Sequence, residues 1–143
     1  MIYNYTRRVP YYETDMMGVV HHSNYIRWFE EARLEFMREA DLCYRRMEDE
    51  GIQIPVVSVS CRYKAPAKFD DIVTIKTHIK KFNGIIVEIA YEVVRDEDGA
   101  LLVTGESSHC FVDKNDFKPV NLKRERPDMY EKFMKSMEPL QIT

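Results

Sequence analysis

The sequence predicts an α+β fold, one antiparallel sheet wrapped around a single long helix. Three observations predict it. An apolar stripe with helical period runs through residues 25–40. The chain then changes period, and segments 54–63, 72–82, 85–95 and 101–113 are rich in Val, Ile, Thr and Tyr, as strands are. Compact turn signals separate most of these segments.

In chain order, residues 5–11 (Tyr-Thr-Arg-Arg-Val-Pro-Tyr) read as a first strand, with Pro10 marking an edge or an end. A loop over residues 12–23 follows, and Ser23 or Asn24 suits the N-cap of the long helix. Along that helix Tyr25, Phe29, Ala32, Phe36 and Ala40 recur at three- and four-residue steps, placing one face inward. Arg27, Glu31 and Arg38 take the opposite side. Residues 41–50 read as a short helical piece ended by Gly51. Val73, Ile75, Thr77 and Ile79 alternate with Thr74, Lys76, His78 and Lys80, the period of a half-buried strand. Asn83-Gly84 signals a two-residue hairpin, and residues 96–99 and 113–116 read as further turns. Pro127 opens a last helix, with Met129, Tyr130, Phe133, Met134 and Met137 expected on one side.

The chain has 143 residues, 45% of them apolar and 31% charged, which suits one soluble domain over 1–143. The net charge of −3 argues against a general nucleic-acid partner, although a local basic patch can hold a phosphate. No apolar run approaches the roughly 20 residues that cross a bilayer, so no membrane partner is expected. The first residues lack the apolar core of a signal peptide. Cys43, Cys61 and Cys110 are odd in number and scattered, which predicts reduced thiols and a cytoplasmic location.

The chemistry concentrates in residues 14–25. Asp15 stands beside a turn containing Gly18, just before the long helix. Helix N-termini present unbonded N–H groups at a positive dipole end. An acid and such donors in one place suit acyl chemistry, the acid as base or nucleophile and the donors holding an oxyanion. The plainer reading of Asp15 is an Asx-turn acid that steadies the loop. Gly18 fits a close backbone approach or a positive φ. His21 and His22 are adjacent, and no third ligand has metal-site spacing, so no metal is expected. His78 and His109 read as sheet-surface residues. Gly105, alone in a strand, marks a bulge or a close helix contact.

The run Arg8-Val9-Pro10-Tyr11-Tyr12-Glu13-Thr14-Asp15-Met16-Met17-Gly18-Val19-Val20-His21-His22-Ser23-Asn24-Tyr25 resembles the active-site signature of the 4-hydroxybenzoyl-CoA thioesterase family, in its YbgC-like branch of hotdog-fold proteins. Trp28-Phe29-Glu30-Glu31-Ala32-Arg33 and Tyr63-Lys64-Ala65-Pro66-Ala67-Lys68-Phe69-Asp70-Asp71 resemble later segments of that branch. The resemblance implies a hotdog fold and hydrolysis of acyl-CoA to a carboxylate and coenzyme A. Asp15 is then nucleophile or general base, with the His22 N–H at the oxyanion, a possible His22 side-chain role and Gly18 at the close approach. It puts Val20, Tyr25, Arg62, Lys64 and Lys81 against the substrate, with Lys80 a further basic neighbour. It implies coenzyme A as part of the substrate with no separate cofactor, and a homodimer or homotetramer. A different hotdog branch carries its acid on the long helix, where Glu31, beside Glu30, is the nearest candidate. Hydration or dehydration of acyl thioesters through His22 and Asp15, and non-catalytic acyl-thioester binding, are the alternatives.

Overall fold

The computed structural model describes residues 1–137. Five strands form one antiparallel sheet in the order β1-β4-β5-β6-β3. They are β1 Tyr3–Arg8, β3 Val56–Tyr63, β4 Ile72–Phe82, β5 Ile86–Arg95 and β6 Leu101–Cys110. The short strands β2 (Ile52–Gln53) and β7 (Val112–Asp113) pair separately. The long helix α1 spans Ser23–Glu39, and α2 spans Tyr44–Asp49. The last described elements are α3 (Leu122–Glu125) and α4 (Pro127–Met137). This is the hotdog arrangement of an α+β fold. The core lies between α1 and the sheet, where Trp28, Phe29, Ala32 and Phe36 meet Val73, Ile75, Tyr91 and Val93, all buried.

Several expected boundaries move for local reasons. The first strand begins at Tyr3 and ends at Arg8, because its register runs from Tyr3 against Thr77 to Arg8 against Ile72. Pro10 has no N–H to extend that ladder, and Tyr11–Glu13 turns once as a 3-10 helix. Neither Ser23 nor Asn24 caps α1. The N-cap is His22, with no side-chain cap bond. Asn24 lies within the first turn and is buried, donating to the Glu13 carbonyl at 2.9 Å. The expected strand 54–63 starts only after Pro55, as β3, with the two-residue β2 lying before the expected range, and 101–113 breaks at Phe111, so its outer part becomes β7. The link from β3 to β4 is a crossover, since β3 lies beside β6 at the far edge.

Strand β4 has the expected bounds, and its Val73, Ile75, Thr77 and Ile79 are all buried. The hairpin between β4 and β5 sits one residue later than expected. Asn83 pairs with Ile86, leaving Gly84 (φ +89°) and Ile85 at the corner. Gly105 is the close helix contact. A Cβ there would stand 2.4 Å from Phe29 Cε2 and 2.8 Å from the Ser60 carbonyl oxygen. The Phe29 ring in turn stacks on Tyr91 at 4.3 Å. On α4, Met129 and Phe133 are buried, whereas Met134 faces outward. The short helix α3 was unexpected from periodicity; Asn121 caps it by accepting the Lys123 N–H at 3.1 Å.

Candidate active site

The loop between β1 and α1 folds as a tight, internally bonded turn. The Asp15 carbonyl accepts the Gly18 N–H at 3.0 Å, and its carboxylate Oδ1 accepts the Met17 N–H at 2.9 Å. Gly18 sits at φ +78°, the left-handed region that glycine reaches without strain. The Asp15 N–H returns to the Val19 carbonyl, and the Val20 N–H reaches across to the Ala67 carbonyl, both at 2.9 Å. Asp15 therefore does make an Asx-type turn contact, and among the described residues no hydrogen bond engages its Oδ2.

Beneath the loop lies a polar support that periodicity does not reveal. Glu13 is buried and its carboxylate takes the Arg7 guanidinium and the Trp28 indole N–H, both at 3.0 Å. Its carbonyl takes the His21 N–H and the Asn24 amide, both at 2.9 Å. Arg7 also lies over the Trp28 ring at 4.8 Å and 3.4 Å from Glu31. Glu13 thus ties β1, the loop and the start of α1 to one another. The signal for it is Trp28 itself: an indole N–H on a buried helical stripe requires an acceptor.

A cavity of about 310 Å³ opens beside the loop, lined by Asp15, Val20, His22, Tyr25, Tyr63 and Lys64 among others. Five of the residues singled out from the sequence meet there. The Tyr63 hydroxyl donates to the His22 carbonyl at 3.3 Å, and the Tyr25 hydroxyl accepts the Ala67 N–H at 3.2 Å. Burial pushes the Tyr25 phenol up. Desolvation, then the Cys61 thiol, pushes Tyr63 up to about 12, so it stays a donor at neutral pH. Among the described residues no hydrogen bond engages the His22 N–H, which stands at the positive end of α1. The cavity therefore combines an acid, an unspent backbone donor and apolar walls.

The remaining sequence candidates separate. Gly18 shapes the turn and is not among the cavity-lining residues. Arg62 is exposed on β3 next to Tyr63. Lys81 pairs in register with Glu88 near the β4–β5 hairpin, at the other end of the sheet from Lys64, and Lys80 is ion-paired to Glu106 at 2.7 Å. Glu31 accepts the Tyr5 hydroxyl at 2.9 Å and faces Arg7, so it belongs to the polar support. His78 is exposed as expected, but His109 is buried. Strand β6 turns Val103, Gly105, Ser107 and His109 inward together. That two-residue alternation was available in the sequence, hidden by the polar character of its last two members. Among the described residues no group of three or more His, Cys, Asp or Glu is placed to hold a metal ion, and no helix is long and apolar enough to cross a membrane.

The sheet and its long helix define a hotdog-fold protein, a class that includes thioesterases. Residues 9–134 match the thioesterase-like superfamily, and the chain belongs to it. The Escherichia coli O6:H1 acyl-CoA thioester hydrolase YbgC is 30% identical over 82% of this chain and 87% of its own. Bacillus subtilis YneP is 34% identical over 90% of this chain and 92% of its own. The crystal structure of the Staphylococcus aureus DHNA-CoA thioesterase superposes with a TM-score of 0.88 at 33% identity, covering 94% of this chain and 89% of that one.

Proposed function

We propose that this chain hydrolyses acyl-CoA thioesters, with the Asp15 carboxylate as nucleophile or general base. The observation that carries the reading is one cavity shared by the Asp15 carboxylate and the start of α1, where the His22 N–H is unspent. The thioester carbonyl oxygen accepts from that N–H, and negative charge developing on it is stabilised by the helix end. Asp15 then either attacks the carbonyl carbon, giving an anhydride that water cleaves, or takes a proton from the water that attacks. In both routes the carbon–sulfur bond breaks and coenzyme A leaves as a thiolate. A thiol with a pKa near about 8.5 needs little protonation to depart. No metal or further cofactor enters this scheme. Lys64 at the cavity and Arg62 beside it are suited to the phosphates of coenzyme A. The unpaired thiols agree with a cytoplasmic location.

The working unit is a homodimer joined at β3. Among the described residues that strand pairs only with β6, and it exposes Val56, Val57 and Val59; such edges invite pairing. Antiparallel pairing of β3 with itself, centre on centre, sets Tyr63 of one copy beside the second copy's Val56. Light scattering that finds a fully active monomer at micromolar concentration removes this part of the reading.

The catalytic reading is tested with Asp15→Asn and a panel of acyl-CoA thioesters, following thiol release. Asn keeps the turn contact but is a poor base and nucleophile, so kcat should fall by at least about 100-fold with the circular dichroism spectrum unchanged. Glu31→Gln should remain active. A folded Asp15→Asn protein with wild-type turnover refutes the assignment.

A further inference from the structure

A second cavity, of about 260 Å³, lies further along α1. Its walls are apolar, from Leu34, Met37, Ile54, Val87, Ile89 and Phe133. Its polar members include Glu30 and Arg33, one helical turn apart, and the buried His109. A smaller cavity of about 150 Å³ between α1 and the free edge of β3 is lined by the same Glu30, Arg33 and Val56. Glu30 and Arg33 thus stand where two apolar spaces meet.

Arg33 is held in place by a directional chain of hydrogen bonds through the core. Its Nη1 donates to the Tyr91 hydroxyl at 3.1 Å. Tyr91 and Ser107 hydroxyls lie 2.6 Å apart, and Ser107 Oγ lies 2.8 Å from His109 Nε2. His109 also hydrogen-bonds the Ile54 backbone. With a neutral His109, every donor in this chain finds an acceptor: Arg33 to Tyr91, Tyr91 to Ser107, Ser107 to His109, and His109 Nδ1–H to the backbone. Buried polar side chains of this kind are kept only when satisfied. The chain spends one of the five guanidinium donors and leaves the others for a ligand. Among the described residues no ion pair joins Arg33 to Glu30 despite their spacing, and the Glu30 carboxylate has no partner.

We propose that Arg33 and Glu30 read a hydroxyl group on the acyl portion of the substrate, with Tyr91, Ser107 and His109 positioning the guanidinium. A hydroxyl accepts from Arg33 and donates to Glu30 at once. A carboxylate in the same place is repelled by Glu30, and an ammonium by Arg33. At about 30 Å³ for a water-sized group, the cavity takes roughly eight or nine heavy atoms, a hydroxylated ring or a short hydroxylated chain rather than a long fatty acyl group.

This inference rests on the thioesterase reading and on the β3 dimer. Within one chain Arg33 is about three helical turns, about 17 Å, beyond His22, too far for so small an acyl group. Across the β3 pair, however, Tyr63 lines the first cavity and the second copy's Val56 lines its second cavity. The hydroxyl of a thioester held at Asp15 is therefore read by the partner's Arg33.

The test compares kcat/KM for benzoyl-CoA with its ring-hydroxylated isomers, and hexanoyl-CoA with 6-hydroxyhexanoyl-CoA, which separates ring from chain. The wild type should favour at least one hydroxylated thioester by about tenfold or more, the scale of a hydrogen bond to a charged group. Arg33→Met should bring that ratio to near one. Tyr91→Phe, which keeps the Phe29 stack, should lower the ratio through KM for the hydroxylated thioester. Mixed dimers of Asp15→Asn with Arg33→Met should regain the wild-type ratio, because their only intact Asp15 faces an intact Arg33 on the other chain. A wild-type ratio near one in both pairs, or an Arg33→Met protein with the full ratio, overturns the proposal. Mixed dimers without the regained ratio overturn its cross-subunit form. Failure of the wild type to cleave any of these thioesters sinks the catalytic reading instead, and calorimetric binding of the same compounds to wild type and Arg33→Met then decides the recognition claim.

Discussion

Acidification from pH 7 to pH 5 should destabilise the protein through one residue, His109. It is buried and lines the second cavity together with Tyr44 and Phe133. Burial, and then the Arg33 guanidinium, hold its pKa down at about 4 against the ordinary 6.5. The folded pKa is the lower one, so below pH 6.5 the unfolded chain binds a proton that the folded chain refuses. The stability from a neutral His109 is therefore fully present above pH 6.5 and drains away as pH falls toward 4. With 1.36 kcal/mol per pKa unit, the loss between pH 7 and pH 5 is about 2 kcal/mol. For a urea slope of about 2 kcal/mol per molar, the unfolding midpoint drops by about 1 M. Paired carboxylates do not blur this window. Asp98, bonded to the Ala100 N–H and Arg95, and Asp128, bonded to Arg126, are both held below the usual carboxylate range, so their contributions fail only in stronger acid. Urea titrations at fixed protein concentration and several pH values measure the effect, with His109→Gln as the non-titrating control. An unchanged midpoint between pH 7 and pH 5, or the same pH slope in His109→Gln, refutes the reasoning.

Three further outcomes follow from the packing. Gly105→Ala should cost about 3 kcal/mol or more by denaturant unfolding, since its Cβ would strike the Phe29 ring and the Ser60 carbonyl, one of which is backbone and cannot rotate away. Glu13→Gln should lose about 3 kcal/mol by the same measurement, because it removes the closest countercharge of the largely buried Arg7; wild-type stability would show the pair to be dispensable. Thr77→Val should hold or raise the melting temperature, as the Thr77 hydroxyl is buried with no partner among the described residues and Val keeps the shape; a clear fall in that temperature means the hydroxyl has a role.

The sequence alone determined the parts of this protein that are local. A 3.6-residue stripe from Tyr25 to Phe36 can only be a helix with one buried face, and the alternation from Val73 to Ile79 only a half-buried strand. The motif around Asp15 and Gly18 was legible because a tight turn before a helix demands particular residues at fixed spacing, and its family resemblance followed from those residues. Tertiary structure alone decided the contacts between residues far apart in the chain. Glu13 is an ordinary loop acid until β1 delivers Arg7 and α1 delivers Trp28 to it. His109 resembles a surface histidine until β6 turns it inward and joins it, through Ser107 and Tyr91, to Arg33 on the helix. Lys64 and Lys81 are equal as sequence, yet the sheet carries one to the cavity and the other to its opposite end. The physical reason is common to all three cases. Periodicity reports which way a side chain faces along its own element, whereas partners, burial and pKa are set by which elements the chain brings together.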